Sequence, residues 1–127
     1  MHTDRTVGLD KVTYDIIAAA YRVQNVLGAG FLEKIYENAM ALELGERGLA
    51  VEPQVAYEVM YRGQPVGRYI ADLVVERAVV VEIKACAAID PVHKAQCLNY
   101  LKASGLGVGL VLNFGRPRIE IRRLRLH

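Results

Sequence analysis

Residues 66–84, VGRYIADLVVERAVVVEIK, constrain the fold most, because two runs rich in valine and isoleucine enclose charges that buried strands do not ordinarily carry. The segments 69–75 and 79–83 have the β-branched character of strands, and the polar Glu76-Arg77-Ala78 between them is short enough to close a hairpin. Antiparallel pairing then brings Asp72 and Glu82 within reach of each other. Side chains alternate along a strand, so Glu82 and Lys84 share one face and Ile83 takes the other. Two carboxylates and an ammonium thereby converge. Burying such charges is costly unless they are paired or bind a metal. A Glu82–Lys84 ion pair on a half-exposed face would also account for them, and three residues in a D…ExK spacing do not decide between the two.

The 127 residues, 53% apolar with four prolines, predict one globular domain over 1–127 with its core at about 13–126. No apolar run approaches the roughly 20 residues of a membrane span, and MHTDRTVGLDK lacks the apolar segment of a signal peptide, so a cytoplasmic protein without a membrane partner is expected. Cys86 and Cys97 form neither a CxxC nor a Cys/His cluster, which argues for buried free thiols over a disulfide framework or a zinc site. The formal charge of +2 does not announce a nucleic-acid binder by itself. Its excess lies in Arg116, Arg118, Arg122, Arg123 and Arg125, a tail that can contact phosphates or can simply keep an edge strand soluble.

Along the chain, Thr13 is positioned as the N-cap of a helix with apolar residues at 16, 20, 23 and 27, ended by Gly28 and Gly30. A second helix over about 31–47 carries Leu32, Ile35, Ala39 and Leu42 on one stripe, with Glu33, Tyr36, Glu37 and Met40 beside it. Its two glutamates can lean toward Asp72 and Glu82 or sit in solvent beside the positive helix end. Segment 51–62 alternates as a strand, with Pro53 near its start pointing to an edge or an entry bend. Asp90-Pro91 starts a third helix that reaches about residue 104 and puts Gln96 and Tyr100 on one face. His93 in its first turn is expected at the surface. Strands over 108–113 and 119–126 finish the chain, the last breaking phase between Ile121 and Leu124 as a bulge would. The order α, α, β, β, β, α, β, β describes an α/β fold on a small mixed sheet, with the third helix as a crossover between parallel strands.

Helix, three strands, helix and strand, with Asp72 on the second strand and Glu82-Ile83-Lys84 on the third, resembles the αβββαβ core of the restriction-endonuclease-like PD-(D/E)XK nuclease superfamily. More narrowly, Gly30-Phe31-Leu32-Glu33-Lys34-Ile35-Tyr36 looks like the signature of its bacterial GxxExxY family. The likeness continues through Glu52-x-Gln54-Val55, Asp72-Leu73-Val74-Val75-Glu76, Val81-Glu82-Ile83-Lys84-Ala85, Ala95-Gln96-x-Leu98-x-Tyr100-Leu101-Lys102 and Gly109-Leu110-x-Leu112-Asn113-Phe114-Gly115. Ala71 stands where the superfamily often has proline.

The resemblance implies a nuclease, Mg²⁺ or Mn²⁺ as cofactor, and DNA as partner more than RNA. Asp72, Glu82 and the main-chain carbonyl of Ile83 would hold the metal, as hard cations favour oxygen ligands. Such a metal polarises a phosphate and lowers the pKa of a water. Lys84 would orient or deprotonate that water and offset developing charge. Glu33 would complete the site from the helix, with Glu37 as second choice, and Gln96 and Tyr100 would position the substrate phosphate. Tyr36 is expected to be a core aromatic whose hydroxyl finds a partner. The competing expectation is a non-catalytic module that binds nucleic acid or protein on the same fold. Small size and weak charge add a homodimer, or another chain, to the partners expected.

Overall fold

The computed structural model describes residues 2–126, with side-chain surroundings from Gly8 onward. Helices α1 (His2–Leu27) and α2 (Glu33–Glu46) precede β1 (Val51–Tyr61), β2 (Gln64–Val75) and β3 (Val79–Lys84), then α3 (Pro91–Ser104), β4 (Val108–Asn113) and β5 (Glu120–Arg125). The five strands lie in the order β1-β2-β3-β4-β5, all neighbours antiparallel except β3 and β4. α3 is therefore the crossover between the two parallel strands, and β1 and β5 are edges. The fold is mixed α/β and restriction-endonuclease-like. No helix among the described residues is long and apolar enough to cross a membrane.

Both faces of the sheet are covered, which is why β3 and β4 read as nearly unbroken apolar runs. Val79, Val81 and Ile83 join Leu110, Leu112 and Phe114 under α1 and α2, where Ile16, Ala20, Val23, Tyr36, Met40 and Leu44 close the larger core. Val80 packs on the opposite face with Tyr100 and Leu101 of α3, and Val111 packs there with Cys97. A Cβ at Gly109 would lie 2.7 Å from Cys97 Sγ, so the glycine is what lets α3 lie close on β4.

The Asp90 cap is as expected: its Oδ1 accepts from the N–H groups of Val92 at 2.8 Å and His93 at 3.3 Å. His93 returns the bond, Nδ1 accepting from Asp90 N–H at 3.2 Å, so this histidine completes a helix cap.

Three sequence expectations need correction. Thr13 does not begin α1, which is already helical from His2; its hydroxyl donates back to Leu9 O at 2.5 Å and Asp10 O at 3.2 Å. Leu9 and Val12 pack against the core two turns and one turn ahead of Ile16, which extends the apolar stripe toward the N-terminus. On α2 three members of the apolar stripe face outward, Leu32 being 77% and Leu42 71% exposed with Ile35 beside them, and only Ala39 touches the core, while Tyr36, Glu37, Met40 and Leu44 are buried. β5 has no bulge, because its register runs unbroken from Val108↔Arg125 to Asn113↔Glu120. Its phase break has another cause: Ile121 packs on the α1/α2 face and Leu124 on the α3 face, each against its own core.

The tail arginines largely meet acids of the same chain. Arg116 and Arg122 flank Glu120, and Arg123 and Arg125 approach Asp10. This edge strand is a charged one, as soluble edges commonly are.

Candidate metal and catalytic site

β2 and β3 pair from Val75↔Val79 to Leu73↔Val81, and there the ladder ends. At the next step side chains take the place of backbone. Ile83 N–H donates to Asp72 Oδ2 at 2.8 Å, and Asp72 N–H donates to Glu82 Oε2 at 3.1 Å. Each carboxylate is thus pinned to the opposite strand through one oxygen. The other oxygens, Asp72 Oδ1 and Glu82 Oε1, accept no hydrogen bond from the described residues, and neither is a sealed, unsatisfied buried atom.

β1 yields at the same level. Pro53 pairs with Leu73 and Val55 with Ala71, but Gln54 does not pair with Asp72, and its φ of 53° is left-handed. Alternation slips here in both strands. Val51 and Leu73 pack on the α1/α2 face, whereas Val55, Tyr57, Tyr69 and Ala71, at the same parity, pack on the α3 side. Asp72 thus sits in a gap flanked by two interrupted ladders.

The electrostatics follow from this crowding. Burial, more than any other influence, pushes Asp72 up to about 6; the Ile83 N–H and Lys84 oppose it, and Glu37 and Glu33 add to it. Burial and then the Asp72 charge push Glu82 up to about 8, against the Asp72 N–H and Lys84. Neither carboxylate is in salt-bridge contact with Lys84. Its Nζ donates instead to Gln96 Oε1 at 3.3 Å, so the simple Glu82–Lys84 ion pair is not formed.

α3 supplies the roof. Tyr100, edge-on to Tyr69 with ring centroids 4.8 Å apart, is raised above its usual range by burial and then by Glu82 and Asp72. Cys97, one turn before Leu101, is pushed up to about 12 by burial and then by Glu82. It is a buried thiol beside the carboxylates, unforeseen in this position, whereas Cys86 is half-exposed.

α2 supplies the near wall. Tyr36 is fully buried; its hydroxyl donates to Gly28 O at 2.6 Å and accepts from Phe31 N–H at 3.1 Å, and its ring stacks on Phe114 at 4.7 Å. One side chain therefore fixes the whole turn from which Glu33 projects. Glu33 is exposed, yet its charge reaches both Asp72 and Glu82. Glu37 is only 6% exposed, not in solvent; its Oε2 accepts from Gln54 Nε2 at 2.8 Å and Lys34 Nζ at 2.9 Å. Gln54 and Lys34 were not expected as site residues, although both stood in matched motifs.

The donor set suits a hard divalent cation. Anchored carboxylates with an uncommitted oxygen each, held against mutual repulsion, are what Mg²⁺ and Mn²⁺ favour, and Mg²⁺ often needs only one or two carboxylates because it keeps several waters. Asp72, Glu82 and the Ile83 carbonyl could hold such an ion with water on its remaining positions; no third acid of the described residues is grouped with them.

No curated protein and no solved structure gave a match to this chain. A family model described as the PD-(D/E)XK nuclease superfamily does match, over residues 10–124, and with α2, the β2–β3 carboxylates and α3 all inside that span, the chain belongs to this superfamily.

Proposed function

We propose that the chain is a Mg²⁺- or Mn²⁺-dependent nuclease of the GxxExxY type that hydrolyses phosphodiester bonds of DNA in preference to RNA, acting as a single domain. The observation that carries the proposal is the pair Asp72 and Glu82, cross-anchored through one oxygen each with the other left uncommitted, in a chain of a nuclease superfamily.

Asp72, Glu82 and the Ile83 carbonyl would hold the ion, and Glu33 would complete the set from α2, with Glu37 as the alternative. When bound, the ion supplies Lewis-acid polarisation of the phosphate and acidifies water. Lys84 orients the attacking water and offsets the negative charge that builds on phosphate oxygens as the bond to the leaving oxygen breaks. Gln96 Oε1 accepts from the Lys84 ammonium at 3.3 Å, which aims the cation while leaving its other two protons free. Tyr100, held neutral by its surroundings, keeps a hydroxyl able to donate to a phosphate oxygen.

One observation favours the second reading, a non-catalytic nucleic-acid- or protein-binding module: among the described residues, no three His, Cys, Asp or Glu side chains are grouped as a ready metal cage. The two readings separate on incubating pure protein with single-stranded, double-stranded and branched DNA and with RNA, in Mn²⁺, Mg²⁺ or EDTA. The nuclease reading expects cleavage that EDTA and Lys84→Ala each abolish. Identical cleavage by wild type and Lys84→Ala refutes the assignment. A homodimer would be seated on the exposed α2 stripe of Leu32, Ile35 and Leu42, and sedimentation of wild type against Leu42→Glu checks it.

A further inference from the structure

We infer that Gln54 is a positioning residue for the divalent cation: its left-handed backbone opens the sheet opposite Asp72, and its carboxamide fixes Glu37 at the wall of the same site. The inference rests on the metal-site reading and extends it to a residue that reading does not use.

Among the described residues, four non-glycine residues have left-handed φ, and three of them, Arg62, Glu76 and Arg77, lie in the turns of the two hairpins. Gln54 alone lies inside a strand. A side chain with a Cβ disfavours that conformation, and such residues persist where their surroundings over-determine them, commonly at functional sites. The surroundings here are specific. The unpaired step falls between Pro53↔Leu73 and Val55↔Ala71, directly opposite Asp72. A regular Gln54 would pair with Asp72 and carry the alternation through, returning Ala71 to the α1/α2 face.

The same turn aims the carboxamide at α2. Its Nε2 donates to Glu37 Oε2 at 2.8 Å, and Lys34 Nζ reaches that oxygen at 2.9 Å from the other side. Glu37, 6% exposed, thus has the cation and the neutral donor that a buried carboxylate requires. Gln54 thus touches both sides of the site: its backbone stands at the step opposite Asp72 in the β1–β2 register, and its carboxamide bonds Glu37 on α2. Gln54 is therefore the link that sets the spacing between helix-borne and strand-borne acids, the role that supporting hydrogen bonds play around metal ligands.

The test is isothermal titration of Mn²⁺ into the full chain, with metal-free melting temperature measured in parallel, for wild type, Gln54→Gly, Glu37→Gln and the double variant. Glycine keeps the left-handed turn without strain and deletes only the carboxamide. Gln54→Gly should weaken Mn²⁺ binding about ten- to a hundredfold in a protein still fully folded at the titration temperature, and on the Glu37→Gln background it should weaken binding no further. Wild-type affinity in Gln54→Gly overturns the inference and leaves the metal site standing. Weakening that matches a fall in metal-free melting temperature overturns it too, since the role is then structural. Absence of Mn²⁺ binding by wild type overturns the site reading and this inference together.

Discussion

Replacing Tyr36 by phenylalanine removes a single oxygen, and the structure states what that oxygen holds. The hydroxyl bridges Gly28 O and Phe31 N–H across the α1–α2 turn, while the ring, stacked on Phe114, is retained in the variant. A net intramolecular hydrogen bond is worth about 1 kcal/mol, and a buried partner left unpaired costs somewhat more. Gly28 and Phe31 lie where water can reach them in part, so two lost bonds should cost about 2 kcal/mol. For a chain of this size that lowers the melting temperature by about 8 °C. Urea unfolding followed by circular dichroism gives the free energy, and calorimetry gives the temperature. A second readout belongs to the site: with the turn released, Glu33 loses its fixed projection, so Mn²⁺ affinity at a temperature where both proteins are folded should also fall. A Tyr36→Phe variant within about 0.5 kcal/mol of wild type, with unchanged Mn²⁺ affinity, would refute the claim that this hydroxyl fixes the turn.

Other consequences are more direct. The folded protein holds protons on Asp72 and Glu82 more tightly than the unfolded chain, whose groups titrate near 3.8 and 4.5. The associated stability is fully present below those values and is lost as pH rises through about 6 and about 8, so EDTA-treated protein should unfold at progressively lower urea between those limits. The Asp72→Asn/Glu82→Gln variant should flatten that slope, and an equally steep slope would contradict the account. Asn113 is fully buried and makes four hydrogen bonds, to Cys86 N and O, Gly115 N and Glu120 Oε1; Asn113→Ala should cost about 3 kcal/mol or more in urea unfolding. A Cβ at Gly115 would stand 2.4 Å from both Cys86 N and Cys86 O, so Gly115→Ala should lower the melting temperature more than any solvent-face substitution on α2.

How far the sequence could be read depended on whether the deciding contact was local. The hairpin that joins Asp72 to Glu82 is separated by ten residues and a short turn, so strand propensity alone placed the two acids together. Asp90-Pro91 likewise announced α3 because capping is settled within one turn. On α2, two apolar stripes lie side by side, and periodicity does not choose between Leu32, Ile35 and Leu42 and the competing Tyr36, Met40 and Leu44. The choice is made by Phe114, far along the chain, which stacks on Tyr36. Gln54 was hidden for a related reason: its left-handed turn depends on Asp72 across the sheet and Glu37 on a helix, and no neighbouring residue marks it. The phase of β5 misled because a strand with both faces covered need not alternate.

The proposed hydrolysis of DNA at the Asp72–Glu82 pair stands or falls on single-turnover cleavage of end-labelled DNA in Mn²⁺ by wild type and Glu82→Gln. The substitution removes a buried, repelled charge while nearly preserving shape, so the variant should fold at least as stably above pH 8. Wild type should cleave, and the variant should lose about a hundredfold or more in rate. Equal cleavage rates, in two proteins that melt alike, would contradict it.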